Sequence, residues 1–416
     1  MESTRVYQSW KSLQDRKTCL FSSHQDEMEM ENSSIDMCSW YYNMMRSSDR
    51  LLPNTSAANN SLNNCDYSPE TDPPLVTSSM KVYTYCVPII LVIGLLGNLV
   101  SLRVFLSRNM RKLSASTYLA ALSTSDITAL LFHVLVDWLR WGLPSLNSDS
   151  AAPAFLNTPG VCHVLFYFSY VSRFLSAWFI VTFTVERYIG VCHPLRRKDI
   201  CGSRAAHKVI SSLVIIALVV MLYKPILTSA RVVRTQHEEL TRCFPDPQRP
   251  MLVFTLDSIY GLSITVLPFV LISVLNALII QKLLRRYHRH RQCHVVTEES
   301  IIRMEFTVIL LVVSFVFIIL NLPFCIVWCK RFLLSRLHVR ASEDALYDFD
   351  NLEGVLLLTR VVFYINYCVN FFLYSVTGAY FRHELKILVF YRSQRYSSYI
   401  KCSRVDSSPT TPQSWV

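Results

Sequence analysis

The chain alternates long apolar blocks with short polar connectors. A transmembrane helix needs about 20 mostly apolar residues, because the hydrocarbon core of a bilayer is about 30 Å thick. Seven blocks meet that requirement, and we number the segments in chain order: 82–106, 116–140, 160–192, 207–230, 252–284, 302–332 and 353–377. The pattern therefore predicts an all-α membrane protein built as a bundle of seven transmembrane helices.

The composition agrees with a membrane protein. Hydrophobic residues make up 51% of the 416 residues and charged residues only 17%, whereas roughly 25% is usual in soluble proteins. The net charge of +11 is high enough to attract nucleic acid, but no nucleic-acid motif accompanies it. The basic residues cluster in the connectors, so membrane lipids and a cytoplasmic partner explain the charge better, and we expect no nucleic-acid binding.

The distribution of basic residues predicts the orientation of the bundle. They concentrate in the odd connectors: Arg108, Arg111, Lys112, Arg196, Arg197, Lys198, Arg204, Lys282, Arg285, Arg286, Arg289 and Arg291. The even connectors, around 145–158 and 335–352, are poor in basic residues or acidic. Because basic loops stay in the cytoplasm, we expect a multi-pass plasma-membrane protein with its N-terminus outside and its C-terminus inside.

The N-terminal stretch 1–80 is polar and precedes the bundle, which we place at 81–378. It carries three glycosylation sequons, at Asn32, Asn54 and Asn59. Because such sequons are modified only in the secretory pathway, they favour a disordered, glycosylated extracellular arm. An unmodified polar tail is the alternative.

A few polar side chains interrupt the apolar segments. An ionisable group inside a membrane is expensive and marks a functional candidate, and Asp126 in the middle of segment two is the clearest case. Other polar residues in neighbouring segments are Asn98, Ser176, Asn366 and Asn370. Together they predict either a polar cluster that holds Asp126 charged with a Na⁺ counter-ion, or a purely structural hydrogen-bond network.

Short motifs occur in register with the seven segments. In chain order they are GN ending at Asn98, LSTSD ending at Asp126, Cys162 lying 25 residues before Arg187, ERYIGVCHPL from Glu186 to Leu195, Pro268, FIILNLP from Phe317 to Pro323, and NFFLY from Asn370 to Tyr374. This order resembles the rhodopsin-like G-protein-coupled receptors, and the resemblance covers about 80–390. It implies a receptor that activates heterotrimeric G proteins, and not an enzyme.

The resemblance assigns roles to individual residues. It implies a G-protein switch at Glu186, Arg187, Tyr188, Pro194, Leu195, Asn370 and Tyr374. It implies an activation switch at Pro268, Phe317, Asn321 and Pro323, and the sodium-linked cluster at the polar residues named above. Cys162 and Cys243 match the family's extracellular disulfide pair.

The C-terminal region carries further implied features. The stretch 379–392 resembles an amphipathic helix at the inner membrane face, and Cys402 in the tail 393–416 is a candidate palmitoylation site. Hydroxyl side chains that receptor kinases could modify to recruit an arrestin are Ser407, Ser408, Thr410 and Thr411. The end of the chain, Ser414 to Val416, fits a PDZ ligand.

Several positions depart from the family pattern. Asn321 stands where a tryptophan is usual, and Phe371 stands where NPxxY has its proline. Arg303 lies near the position where an acid of segment six often pairs with Arg187. We therefore expect variant activation contacts, in which Glu186 holds Arg187 without help from segment six.

The ligand class is narrowed by single positions. A retinal receptor needs a lysine where this chain has Tyr364, and an amine receptor needs an aspartate where it has Ser169. The loop 231–247 alternates as a short hairpin would around Cys243, and the acidic stretch 342–354 would attract a cationic peptide. Motifs including CHPLRRKD and VLNALII resemble invertebrate neuropeptide receptors, among them those for FMRFamide-type peptides. A lipid or small-metabolite ligand is the alternative, and a transporter is a remoter one.

The candidate ligand pocket contains charged and aromatic residues: Asp137, Trp138, Ser169, Tyr170, Arg173 and Tyr364. An arginine at the core of segment three is costly unless it is paired. Arg173 therefore either binds an acidic group of the ligand or pairs internally with Asp137 or Asp126, and we favour the internal pair.

Overall fold

A computed structural model describes residues 74–146, 152–193, 195, 201–234, 239–246, 248–289, 298–336 and 343–389. Several predicted sites lie outside the described residues and stay predictions: Asn32, Asn54, Asn59, Pro194, Cys402, Ser407, Ser408, Thr410, Thr411 and Ser414 to Val416.

Seven helices within this part of the chain are long and apolar enough to cross a membrane, as predicted. We label them α1 to α7 and the short helix that follows them α8. Their bounds are α1 Pro74–Phe105, α2 Ser114–Leu146, α3 Val161–Cys192, α4 Ser203–Ile226, α5 Pro250–Arg289, α6 Glu298–Arg336, α7 Glu343–Thr377 and α8 379–389. Short helical turns at Met110–Lys112 and Ala152–Leu156 lie in two of the connectors.

Several helix ends differ from the prediction, most of all the start of α7, which lies at Glu343 and not at 353. Helix α1 begins at Pro74, within the stretch 1–80 that we assigned to a disordered arm. Proline suits a first helical position, where its missing N–H would have no partner, and Leu75 packs closely on Gly354 of α7. Helix α4 ends at Ile226 and not at 230, because a β-strand begins at Thr228.

Helix α5 is interrupted in the middle of the membrane span. Its two parts, Pro250–Ile264 and Val266–Arg289, meet at Thr265, three residues before Pro268. A proline has no N–H to donate to the carbonyl one turn earlier, and its ring crowds that carbonyl. The Thr265 hydroxyl donates to the Gly261 carbonyl at 2.5 Å, which places a side-chain hydrogen bond at the interruption.

A β-hairpin links α4 to α5 and confirms the hairpin expected around Cys243. Strand β1, Thr228–Arg234, pairs antiparallel with β2, Glu239–Pro245, and Ala230 lies opposite Cys243. Cys243 forms the predicted disulfide with Cys162 at the start of α3, with the two Cα atoms 6.5 Å apart. The hairpin is therefore fixed to the bundle, and we call this end of the bundle the hairpin end.

The bundle buries its apolar side chains between helices and leaves others facing outward. One large cluster joins α2, α3, α5 and α6 around residues such as Phe179, Ile264 and Leu310, and a second joins α1, α2 and α7. Val219 and Phe315 are more than half exposed. An outward face of this kind suits lipid, where apolar side chains need no cover.

Helix α8 packs against the opposite end of the bundle, which we call the α8 end. Phe381 is buried, and its ring lies 5.3 Å from that of Phe105 in α1 and 5.7 Å from that of Tyr374 in α7. Glu384 accepts hydrogen bonds from Ser107 and Asn109 in the connector after α1. These contacts hold α8 to the first connector.

Candidate functional site

The structure brings Asp126 of α2 together with α3 and α7 in the middle of the bundle. Asp126 is fully buried. The Ser176 hydroxyl donates to one carboxylate oxygen at 2.6 Å, and the Asn370 amide donates to the other at 2.7 Å. Because each oxygen has a donor, the carboxylate is stabilised despite its burial. Three helices therefore meet at one acidic side chain.

Asn98 and Asn366 lie in the same region and make different contacts. The Asn98 amide donates to the carbonyls of Gly94 at 2.8 Å and of Tyr367 at 2.7 Å, which ties α1 to α7. Its Oδ1 is buried and has no hydrogen-bond partner among the described residues. Asn366 lines a small cavity together with Ser176. Asp126 thus binds Ser176 and Asn370 directly, whereas Asn98 bonds to backbone carbonyls and Asn366 lines a cavity with Ser176.

At the α8 end, Glu186 and Arg187 pair within α3. The Arg187 Nε donates to a Glu186 carboxylate oxygen at 2.6 Å, and the same oxygen lies 2.5 Å from Nη2. Ser114 at the start of α2 donates to the other oxygen at 2.5 Å. The guanidinium also lies over the Phe183 ring at 5.5 Å. Within the described residues, Glu186 is the acid that forms an ion pair with Arg187, and it belongs to the same helix.

Other residues of the predicted G-protein switch lie on the same side of the bundle. The Tyr188 ring packs edge-on against His193, and Leu195 is 92% exposed. Tyr374 is fully buried between Phe105 and Phe381, and its hydroxyl has no hydrogen-bond partner in the described part of the chain. A phenolic hydroxyl in this position has hydrogen-bonding capacity that a rearranged bundle could use.

Two residues of the predicted activation switch line a small cavity. Phe317 and Asn321 of α6 line it, facing Arg173 of α3. The Asn321 amide donates to the Phe317 carbonyl at 2.7 Å, one turn earlier in the same helix. Pro323 lies inside α6 and removes a helical hydrogen bond there. The cavity therefore lies next to the part of α6 where Pro323 removes a backbone hydrogen bond.

Arg173 does not form the internal ion pair that we favoured. Within the described residues, neither Asp126 nor Asp137 forms an ion pair with it. The guanidinium instead lies over the rings of Tyr260 and Phe363 at 5.7 and 5.9 Å, and Tyr367 lines the same small cavity as Arg173. Its buried Nε has no hydrogen-bond partner in this part of the chain. Arg173 is thus held by aromatic rings and keeps a donor for another group.

Asp137 bonds to residues other than arginine. The Tyr364 hydroxyl donates to its carboxylate at 2.8 Å, and the His133 Nδ1 lies 3.4 Å away in the same helix. Trp138 donates to the Thr84 carbonyl of α1 at 2.9 Å. Ser169 is buried in α3, and its carbonyl accepts a hydrogen bond from Ser172. These contacts connect α1, α2 and α7 on one side of the candidate pocket.

Lys224 and Asp257 form a charged pair next to Tyr170 of the candidate pocket, and the sequence did not predict this pair. Lys224 of α4 contacts both carboxylate oxygens of Asp257 in α5, at 2.8 and 3.1 Å. The Tyr223 hydroxyl donates to the same carboxylate at 2.9 Å. The ammonium also lies 4.5 Å from the centre of the Tyr170 ring, which stacks on Tyr260 at 4.3 Å. A lysine and an aspartate in adjacent apolar segments were the available signal.

Comparison with known proteins agrees with this geometry. A family model described as 7 transmembrane receptor (rhodopsin family) matches residues 97–374. The chain is 24% identical to the FMRFamide receptor of Drosophila melanogaster over 77% of its own length and 56% of that receptor's. It is 23% identical to the sex peptide receptor of the same species, over 78% of this chain and 76% of that one.

A shorter match relates the chain to the human thyrotropin-releasing hormone receptor, with 27% identity over 28% of this chain and 27% of that receptor. The chain therefore spans little more than half the length of the FMRFamide receptor and less of the hormone receptors. The family model covers more than half of the chain and includes Asn98, Asp126, Arg173, Arg187 and Asn370. The chain therefore belongs to the rhodopsin family of seven-transmembrane receptors, which are receptors and not enzymes.

Proposed function

We propose that this receptor binds an extracellular peptide at its hairpin end and activates a heterotrimeric G protein at its α8 end. The observation that carries the peptide assignment is the β1–β2 hairpin, which the Cys162–Cys243 disulfide fixes to α3 at the same end as the pocket. Such a hairpin offers backbone and side chains along the length of an extended ligand. The names of the three relatives, each a receptor for a peptide, support the same ligand class.

The chemistry of the pocket also favours a peptide. Among the residues of the candidate pocket, Asp137 is bonded to Tyr364, and Tyr170 lies against Lys224, which pairs with Asp257. The Arg173 Nε has no hydrogen-bond partner within the described residues. A peptide offers amines, carbonyls and aromatic side chains that match such a mixed set of groups. A guanidinium is suited to carbonyl and carboxylate oxygens, so we expect Arg173 to bind the end of the ligand that enters deepest.

The proposed mechanism is a shift between two states of the bundle. A ligand changes their populations only if it binds one of them more tightly. Binding near Arg173 and Phe317 would favour the state in which α6 moves outward at its α8 end. The inward pair of Glu186 and Arg187 would then open toward the G protein, with Leu195 as an exposed apolar contact.

The polar cluster fits the Na⁺ ion that the family resemblance implies. Hard cations prefer oxygen ligands, and the cluster offers the Asp126 carboxylate and the Ser176 hydroxyl beside it. The Oδ1 of Asn98, buried without a partner in the described residues, is a further oxygen in the same region. When bound, Na⁺ would supply the positive charge that the carboxylate lacks, while Asp126 and its partners hold the three helices together.

We place the receptor in the plasma membrane with α8 on the cytoplasmic side. The basic odd connectors support this orientation. Arrestin and receptor kinases would then act on the C-terminal tail, and a PDZ protein would bind Ser414 to Val416.

A ligand screen tests the peptide assignment. Cells expressing the receptor are exposed to amidated neuropeptides, the matching free acids, lipids and small metabolites, and calcium and cyclic AMP are recorded. We expect a peptide to evoke a concentration-dependent response. Arg173→Gln should lower its potency roughly ten- to a hundredfold, because a hydrogen bond from a charged donor is lost. A response to a lipid or metabolite alone would contradict the assignment.

A further inference from the structure

A carboxylate of α6 binds the backbone of α8. Glu305 accepts a hydrogen bond from the Tyr380 N–H at 2.6 Å. Glu305 lies in α6, and Tyr380 is the second residue of α8, which spans 379–389. The bond therefore joins the α8 end of α6 to the start of the helix that follows α7.

This N–H is one that α8 leaves without a helical partner. The first N–H groups of a helix have no carbonyl one turn earlier to bind. The Arg382 N–H, two residues further along, donates to the Gly378 carbonyl at 3.0 Å. A carboxylate at this place is favoured because it can accept from an N–H of the first helical turn and because the positive end of the helix dipole lies there. Glu305 thus caps α8 from a different helix.

A second residue of α6, Ile309, contacts the junction between α7 and α8 at Gly378. Ile309, one turn after Glu305, lies so close to Gly378 that a Cβ there would be 3.2 Å from its Cδ1. The same Cβ would lie 2.8 Å from the Tyr374 carbonyl oxygen. The absence of a side chain at Gly378 lets α6 approach the backbone between α7 and α8.

Glu186, another acid at this end of the bundle, forms its ion pair within α3. In the described part of the chain, Glu186 is the acid that pairs with Arg187, and both residues belong to α3. Arg303 stands where an acid of α6 is expected, and Glu305 follows two residues later. Two residues correspond to about 200° around a helix, so the carboxylate of Glu305 faces a different neighbour.

We infer that Glu305 is a latch that holds the inner end of α6 against the α7–α8 junction and so favours the inactive state. The inference rests on the proposed outward movement of α6 during activation. That movement would separate the carboxylate from the Tyr380 N–H and leave the start of α8 without its cap. The latch therefore contributes to the energy difference between the two states.

The test measures signalling without ligand. Glu305→Ala and Glu305→Gln are expressed in cells, and basal G-protein activation is measured by energy transfer and divided by surface expression. We expect basal activation to rise about tenfold for Glu305→Ala, because a charge-assisted hydrogen bond of the inactive state is lost. Glu305→Gln should give a smaller rise, since its amide oxygen still accepts a hydrogen bond.

Glu384→Gln is the matched control. Glu384 also bonds from α8, but its partners Ser107 and Asn109 precede α2 and do not belong to α6. We expect basal activation to stay at the wild-type level in this variant. An equal rise in Glu384→Gln would show that loosening α8 is sufficient and would overturn the latch.

A distance measurement on purified receptor tests the latch without any ligand or G protein. Fluorophores are coupled to azido residues placed at Ile301 of α6 and Arg204 of α4, both of which are exposed. Without ligand, the distance should increase in Glu305→Ala and remain unchanged in Glu384→Gln. An unchanged distance in Glu305→Ala, or an unchanged basal signal at normal expression, would refute the inference. Basal activation and the α6–α4 distance are both measured without ligand, so both still test the latch if every peptide fails in the ligand screen.

Discussion

Three acidic side chains in the membrane spans have bonding partners on a neighbouring helix. Asp126 is held by a hydroxyl and an amide, Asp137 by a phenol, and Asp257 by an ammonium and a phenol. Because a carboxylate in hydrocarbon is costly, such partners are needed to keep each acid in the bundle. These residues therefore determine which faces of the helices meet.

The Lys224–Asp257 pair provides a direct test of that principle. We expect Lys224→Met and Asp257→Leu to lower the free energy of unfolding by about 2 kcal/mol each, because either change leaves an unpaired, partly buried charge. The double variant should lose less than the sum of the single losses. Thermal unfolding of the purified receptor measures this, and additive losses would show that the pair is not coupled.

The sequence predicted part of the site but not its pairing partners. The contact of Asp126 with Ser176 and Asn370 follows the family pattern, so the resemblance placed the three residues together. The Lys224–Asp257 pair was missed because hydropathy gives the length of α4 and α5 and not their rotation. The prediction that Arg173 pairs internally with an aspartate was wrong, since aromatic rings also attract a guanidinium.

Helices and the hairpin were largely predictable, whereas their junctions were not. Apolar length predicted seven spans, and alternation around Cys243 predicted the hairpin. The start of α1 at Pro74 and the capping of α8 by Glu305 depend on packing between distant segments. No local pattern in the sequence reports such contacts.

Substitution of Gly378 tests how tightly the α7–α8 junction is packed. A methyl group at this position would lie 2.8 Å from the Tyr374 carbonyl oxygen and 2.9 Å from the Phe381 Cβ. We expect Gly378→Ala to cost about 1–3 kcal/mol of stability through overpacking. Gly202→Ala is the control, since nothing lies within 4 Å of its added methyl group. Equal unfolding temperatures for the two variants would contradict the expected crowding.

The bundle as a whole connects two ends through its polar centre. The hairpin end holds the disulfide and the mixed-charge pocket, and the α8 end holds the Glu186–Arg187 pair and the Glu305 contact. Between them lie Asp126 and its partners. A change in the packing of α6 at one end can therefore alter the exposure of Arg187 at the other, as a two-state receptor requires.

Arg187 provides the most direct test of this account. G-protein activation by the active peptide is measured for the wild-type receptor and for Arg187→Ala at equal surface expression. We predict concentration-dependent activation by the wild type and none by Arg187→Ala, with peptide binding retained because Arg187 lies at the α8 end. Activation of equal size by the variant would contradict the role of Arg187 as the group that this receptor presents to its G protein.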